Sequence, residues 1–91
     1  MLETVVENTL KRECKKRGAL CIKSETLAKG FPDRMVLAFP GKVAFPELKR
    51  VGTKREPAQR VWWRKLLKLG FDSPQLNTPA EVRQWAQEFL G

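Results

Sequence analysis

The hydrophobic period of this chain changes twice, first at a glycine and then at a proline. Up to Gly18, the residues Leu2, Val5, Val6, Thr9, Leu10 and Cys14 recur at the spacing of one helix face, which predicts an amphipathic helix over residues 3–17 ended by Gly18. Beyond Gly18 the pattern turns β-rich in three runs, Ala19 to Lys23, Arg34 to Phe39 and Lys42 to Lys49, with Pro40-Gly41 as a tight turn between the last two. Gly30 and Pro32 mark the intervening segment as a loop. Helical spacing returns at Pro57, suited to the first turn of a helix that runs to Leu69 and is closed by Gly70. The last helix is the best signalled: Thr78-Pro79-Ala80-Glu81 supplies a cap, a first-turn proline and a capping-box acid, and Val82, Trp85, Ala86, Phe89 and Leu90 form its apolar stripe. Phe71 to Leu76 reads as a short edge strand, poor in β-branched residues. The order α-β-β-β-α-(β)-α predicts one α/β domain over residues 1–91, a small mixed sheet flanked by helices.

Composition narrows the chemistry. The chain has 91 residues, room for one core, and 42% of them are hydrophobic, too many for a disordered segment. With 0 His there is no imidazole base, no Ser-His or Cys-His pair and no His-containing zinc site. The 2 cysteines, Cys14 and Cys21, cannot fill a structural zinc site and read as small apolar residues. The longest uncharged stretches, Met35 to Gly41 and Ser73 to Ala80, fall far short of the roughly 20 apolar residues of a membrane span. Met1-Leu2-Glu3-Thr4 has no basic region leading into an apolar run, so no leader is expected and the expected compartment is the cytoplasm of a bacterium or a phage-infected host.

The formal charge of +8 is concentrated in the middle of the chain, with +5 on residues 11–30 and +5 on residues 51–70. Lys11, Arg12, Lys15, Lys16 and Arg17 form one cluster, and Lys54, Arg55, Arg60, Arg64, Lys65 and Lys68 another. Such clusters are the electrostatic footprint of a phosphate backbone; the plain alternative is a solvated surface. Trp62, Trp63 and Trp85 read as core or interface anchors, with base stacking as the minor alternative.

The acids and lysine that carry chemistry stand at strand ends. Asp33 precedes the second β run, while Glu47 and Lys49 end the third and, by strand alternation, share one face. Two carboxylates meeting at one sheet edge can share a hard cation such as Mg²⁺, and a lysine beside them can hold an attacking water and stabilise the charge of a phosphoryl transition state. Taken singly, Asp33 is an ordinary turn residue and Glu47 with Lys49 an ordinary ion pair.

Gly30-Phe31-Pro32-Asp33, then Val43-Ala44-Phe45-Pro46-Glu47-Leu48-Lys49, then Gln59 on the following helix resemble the VRR-NUC (virus-type replication-repair nuclease) domain of the PD-(D/E)xK superfamily. The resemblance runs from the helix bearing Glu7 to Gly70 and implies a restriction-endonuclease-like fold. It further implies an Mg²⁺- or Mn²⁺-dependent endodeoxyribonuclease with Asp33, Glu47 and the Leu48 carbonyl as metal ligands and Lys49 as the catalytic lysine. Glu7 would be the helix-borne acid and Gln59 an active-site helper, although Gln59 could equally bond a helix end and Glu7 be a surface acid. Small stand-alone phage members of the family resemble Holliday junction resolvases, so branched DNA, above all a four-way junction, is the expected substrate and a homodimer the expected assembly. A non-catalytic basic DNA-binding or architectural module is the competing reading, and an RNA-directed nuclease a third. One departure from the family pattern is Pro46, which has no N–H for a sheet ladder and predicts a bulge or a local edge.

Overall fold

The structure, a computed structural model, describes residues 3–91; Leu2, placed by its spacing on the first apolar stripe, lies outside them. Helix α1 (Glu3–Lys16) turns Val6, Leu10 and Cys14 into the core. It ends in a Schellman motif: Gly18 takes φ +73°, its N–H reaches Lys15 O, and Ala19 N–H reaches back to Cys14 O at 2.8 Å. Strands β1 (Leu20–Lys23), β2 (Arg34–Ala38) and β3 (Lys42–Ala44) then form an antiparallel meander in the order β1-β2-β3.

The run from Lys42 to Lys49, read from sequence as one strand, is divided. After β3 the chain passes through Phe45-Pro46 and resumes as β4 (Glu47–Leu48), which pairs in parallel with β5 (Gln75–Leu76). A parallel pair needs a crossover, and helix α2 (Pro57–Lys68) lies on it. Ala44 is where partners are exchanged: it pairs with Val36 of β2 on one side and bridges Asp72 on the other. Phe45 N–H then donates to Asp72 O and Glu47 N–H to Pro74 O, both at 2.8 Å, while Pro46 contributes only its carbonyl, accepting from Arg34 N–H at 3.3 Å. The expected local irregularity at Pro46 is thus the seam between a three-stranded antiparallel sheet and a two-stranded parallel one, so the single mixed sheet expected from the sequence is divided in two, joined by the Ala44–Asp72 bridge.

Helices α1 and α3 (Pro79–Leu90) cover one face, where Val6, Leu10, Cys14, Val36, Ala44, Leu48, Leu76 and Val82 form the core. Helix α3 has the Thr78 cap that its sequence predicts, Glu81 N–H donating to Thr78 Oγ1, but the reciprocal bond falls one residue early, Glu81 Oε1 accepting from Asn77 N–H, and the full capping box stands on α2 between Glu56 and Gln59. Trp85 is spent inside, its Nε1–H donating to Asp72 Oδ2 at 2.7 Å and its ring stacked on Phe89. On the other face, Phe45 stands edge-on to Phe31 and Phe71, and Phe31 to Trp62 of α2. That aromatic layer stops short of the meander, whose outer residues Leu20, Ile22, Met35, Leu37 and Val43 are all apolar and partly or well exposed. Cys14 and Cys21 are free thiols, and among the described residues no helix is long and apolar enough to cross a membrane.

The loop before β2 is pressed onto α2. Gly30 has φ +82°, and a Cβ there would lie 2.5 Å from the Ala58 carbonyl carbon, so both conformation and space demand glycine. Gly30→Ala should therefore cost about 2–4 kcal/mol in urea unfolding, combining left-handed strain with a clash against backbone. Gly52→Ala, with φ +86° but nothing within 4 Å, should cost only about 1 kcal/mol.

Candidate active site

A cleft of about 330 Å³ opens between the N-terminal half of α1, the loop ending in Asp33, the end of β4 and the start of α2. Its walls are Glu3, Thr4, Glu7, Glu25, Asp33, Leu48, Lys49 and Gln59. Asp33, Lys49, Gln59, Glu7 and Leu48, drawn from four separate segments of sequence, are thereby brought together, with Glu47 directly behind Asp33.

The backbone of β4 explains the arrangement. Glu47 N–H and Lys49 N–H are used by the parallel ladder, to Pro74 O and to Leu76 O. Successive strand residues present their N–H and C=O to opposite sides, so those of Leu48 face away from β5, toward the Asp33 loop. Leu48 N–H donates to Asp33 Oδ2 at 2.9 Å, which fixes the aspartate at the end of β4 and leaves the Leu48 carbonyl on the same side. The loop is held from behind by Ser24, whose hydroxyl donates to Pro32 O and whose N–H donates to Asp33 O.

Glu47 is 1% exposed, and its Oε2 has no hydrogen-bond partner. Burial, then the hydrogen bond that the protonated Glu47 carboxyl donates to Asp33 and the negative charge of Asp33, push the Glu47 carboxyl up to about 8, against a smaller opposing pull from Lys49 and Arg55. Lys49 is also buried along its stem and makes no ion pair among the described residues. Gln59 spends its Oε1 on the first turn of α2, accepting from Glu56 N–H at 2.8 Å, and still lines the cleft. It thus performs the helix-end task read as its alternative while standing where a helper would stand.

Glu7 is not a free acid. Arg34, only 4% exposed at the start of β2, places Nη2 3.1 Å from Glu7 Oε2, an ion pair that leaves its Nε and Nη2 without an aligned hydrogen bond. Among the described residues no group of three His, Cys, Asp or Glu is placed to hold a metal, so Asp33 and Glu47 stand as a pair. Arg34 went unnoticed in the sequence although a signal existed: it shares the inward face of Val36, and an arginine on a buried face demands an acid beneath the covering helix.

Of the basic residues, Lys11, Arg12, Lys15 and Lys16 are exposed along α1, while Arg17 is half-buried and paired with Glu13. Lys54, Arg60, Arg64, Lys65 and Lys68 are exposed, with Lys65 lying over the Trp62 ring at 4.8 Å. Arg55 turns inward, donating to Ser73 O at 2.8 Å and stacking 4.8 Å from the Trp63 ring centroid.

The buried carboxyl gives the protein a testable pH profile. Between the ordinary value of 4.5 and about 8 the folded state keeps a proton on Glu47 that the unfolded chain has released. Its contribution to stability is full below that window and is lost as pH rises through it. In urea titrations without divalent ions, the stability difference between wild type and Glu47→Gln should move steadily in favour of the variant from pH 4.5 to pH 8; a constant difference would show that Glu47 titrates normally.

No protein-family model matches the chain, and no curated protein matches it. Among solved structures, one described as a VRR_NUC domain is similar to it over 96% of this chain and 96% of its own, with a TM-score of 0.87 at 24% sequence identity. With helices, sheet and cleft in place, the fold of this chain is that of a VRR_NUC domain.

Proposed function

We propose that this protein is a metal-dependent, structure-selective DNA endonuclease that hydrolyses phosphodiester bonds, with a four-way junction as its substrate. The observation that carries the reading is the Asp33–Glu47 carboxyl pair, with an orphaned buried Glu47 oxygen, set beside Lys49 in the cleft of a VRR_NUC fold. The donors suit Mg²⁺ or Mn²⁺: carboxylate oxygens from Asp33 and Glu47, the Leu48 carbonyl on the same side, and room in the cleft for water and a phosphate. When bound, such an ion supplies an acidified water and neutralises charge growing on the phosphate.

The chain's own groups do the rest. Asp33, fixed by Leu48 N–H, sets where the phosphate group sits relative to β4. Lys49 brings its ammonium to the attacking water and to the phosphoryl oxygens as the new P–O bond forms and the sugar oxygen leaves, an interaction strongest in the transition state. Gln59, with its oxygen tied to Glu56 N–H, keeps amide hydrogens free to orient water or substrate. The exposed cations of α1 and α2 hold the backbone of the substrate.

A four-way junction needs two matched nicks, which a two-fold dimer provides through its own symmetry. What supports a second copy is the bare apolar sheet face of Leu20, Ile22, Met35, Leu37 and Val43, whereas Trp85 is consumed within the monomer. Light scattering should report twice the chain mass of 10.5 kDa at micromolar concentration.

Incubation with labelled four-way junctions, duplex and RNA, with and without Mg²⁺ or Mn²⁺, tests the reading. Cleavage should require the ion, and Asp33→Asn, Glu47→Gln or Lys49→Met should each reduce it by about a hundredfold or more while DNA affinity is retained. Affinity without cleavage under any condition would leave the non-catalytic binding module. Neutralising Arg64 and Lys65 should weaken binding on all sequences and reduce its salt slope by about one unit per lost phosphate contact.

A further inference from the structure

A second cavity, of about 230 Å³, lies on the other flank of the first turn of α2 and is lined by Lys54, Arg55, Arg60, Trp63 and Gln75. It adjoins the cleft without being part of it. Gln59 lines the cleft and the next residue, Arg60, lines this cavity; Glu47 stands behind Asp33, and its register partner across the parallel ladder, Gln75, lines this cavity.

Its chemistry differs from that of the cleft. No acid lines it, and neither Lys54 nor Arg60 has an ion-pair partner among the described residues, where the ion pairs are Arg17–Glu13 and Arg34–Glu7. Its planar groups are the Trp63 indole and the Arg55 guanidinium, stacked at 4.8 Å and braced by the Arg55 bond to Ser73 O. Arg60 is itself steadied by donating to Arg55 O at 2.7 Å, and Gln75 by donating to Thr53 O. Indole and guanidinium faces are the surfaces on which unpaired bases stack, and uncompensated cations at the rim are what a phosphate seeks. The volume is below the roughly 300–1,000 Å³ of a drug-sized ligand pocket and suits a single planar ring.

We propose that this cavity is a nucleotide subsite that takes one unpaired nucleotide of the strand flanking the scissile phosphate, with its base against the Trp63–Arg55 stack and its phosphate between Lys54 and Arg60. The assignment rests on the nuclease reading for its choice of ligand. It gives that reading a basis for preferring DNA with unpaired or splayed nucleotides beside the cut.

The test separates binding from cleavage. Fluorescence anisotropy of a labelled eight-nucleotide oligothymidylate is measured in EDTA, alongside a fully paired duplex. Trp63→Leu should weaken the single strand about tenfold or more with an unchanged salt slope, Trp63→Phe should retain most of the affinity, and neither should affect the duplex. The double variant Lys54→Gln, Arg60→Gln should lower the single-strand salt slope by about 0.7, the share of one phosphate. In the wild-type protein, photo-crosslinking of the same oligonucleotide bearing 5-iodouracil should map to the peptide containing Trp63, a readout independent of whether any variant folds. Unchanged single-strand affinity in a folded Trp63→Leu protein, or crosslinks confined to α1, would overturn the subsite even if junctions are cut. Loss of affinity on Trp63→Leu in a protein that cuts nothing would keep the subsite and overturn the nuclease reading.

Discussion

The arrangement of this molecule depends on a missing hydrogen-bond donor. Pro46 has no N–H to give, so the segment that begins as the third strand of an antiparallel meander cannot continue its ladder unbroken. It continues by changing neighbours: Ala44 holds both, Phe45 and Glu47 bond to the segment before β5, and Pro46 retains β2 through its carbonyl alone. Because β4 then runs parallel to β5, Leu48 is left with a free N–H on the β2 side, and Asp33 is the group that takes it. The two carboxyls meet because one segment of chain serves two sheets.

That meeting is electrostatically unfavourable, and the surroundings divide the strain. Two acids in contact with one of them buried cannot both ionise readily, and Glu47 yields by holding its proton well above the carboxylate range. Lys49 and Arg55 moderate the effect without forming a direct ion pair with Glu47. Burial in turn lowers the Arg55 guanidinium, and Glu47 opposes that shift, so the cleft and the neighbouring aromatic cavity are linked through one buried acid and one half-buried cation. Glu7 stands apart from this pair, since its charge answers that of Arg34 beneath α1. Of the acids around the cleft, Glu7 has Arg34 and Asp33 has the Leu48 N–H, while Glu3 and Glu25 form no ion pair among the described residues.

Much of this was legible in the sequence, for reasons that differ by element. The helices could be read because their information is local: period, a glycine at the end of α1, a proline at the start of α2 and a threonine cap on α3. The grouping of Asp33, Glu47 and Lys49 could be read because strand order and alternation place them at one sheet edge, whereas Gln59 joined them only through the family resemblance. The exchange of partners could not, since alternation within Lys42 to Lys49 says which way side chains point and nothing about which strand lies alongside. Strand β5, two residues long, is held by pairing with β4 and not by any propensity of Gln75-Leu76, so its sequence carried little signal. The bond from Gln59 to the helix start was foreseen as an alternative and coexists with a place in the cleft, a combination no spacing rule expresses.

The contact of Gly30 with Ala58 has a mechanical meaning. The Gly30 backbone lies directly against Ala58, backbone and Cβ alike, with no room for a side chain of its own, and Phe31 and Trp62 add a second point of attachment, with Trp62 Nε1–H donating to Lys29 O. The loop that carries Asp33 and the helix that carries Gln59 therefore form one stiff piece, clamped at two places along its length. Any displacement of the start of α2 must therefore carry the Asp33 loop with it, since neither can shift without breaking the Gly30–Ala58 contact or the Trp62 bond.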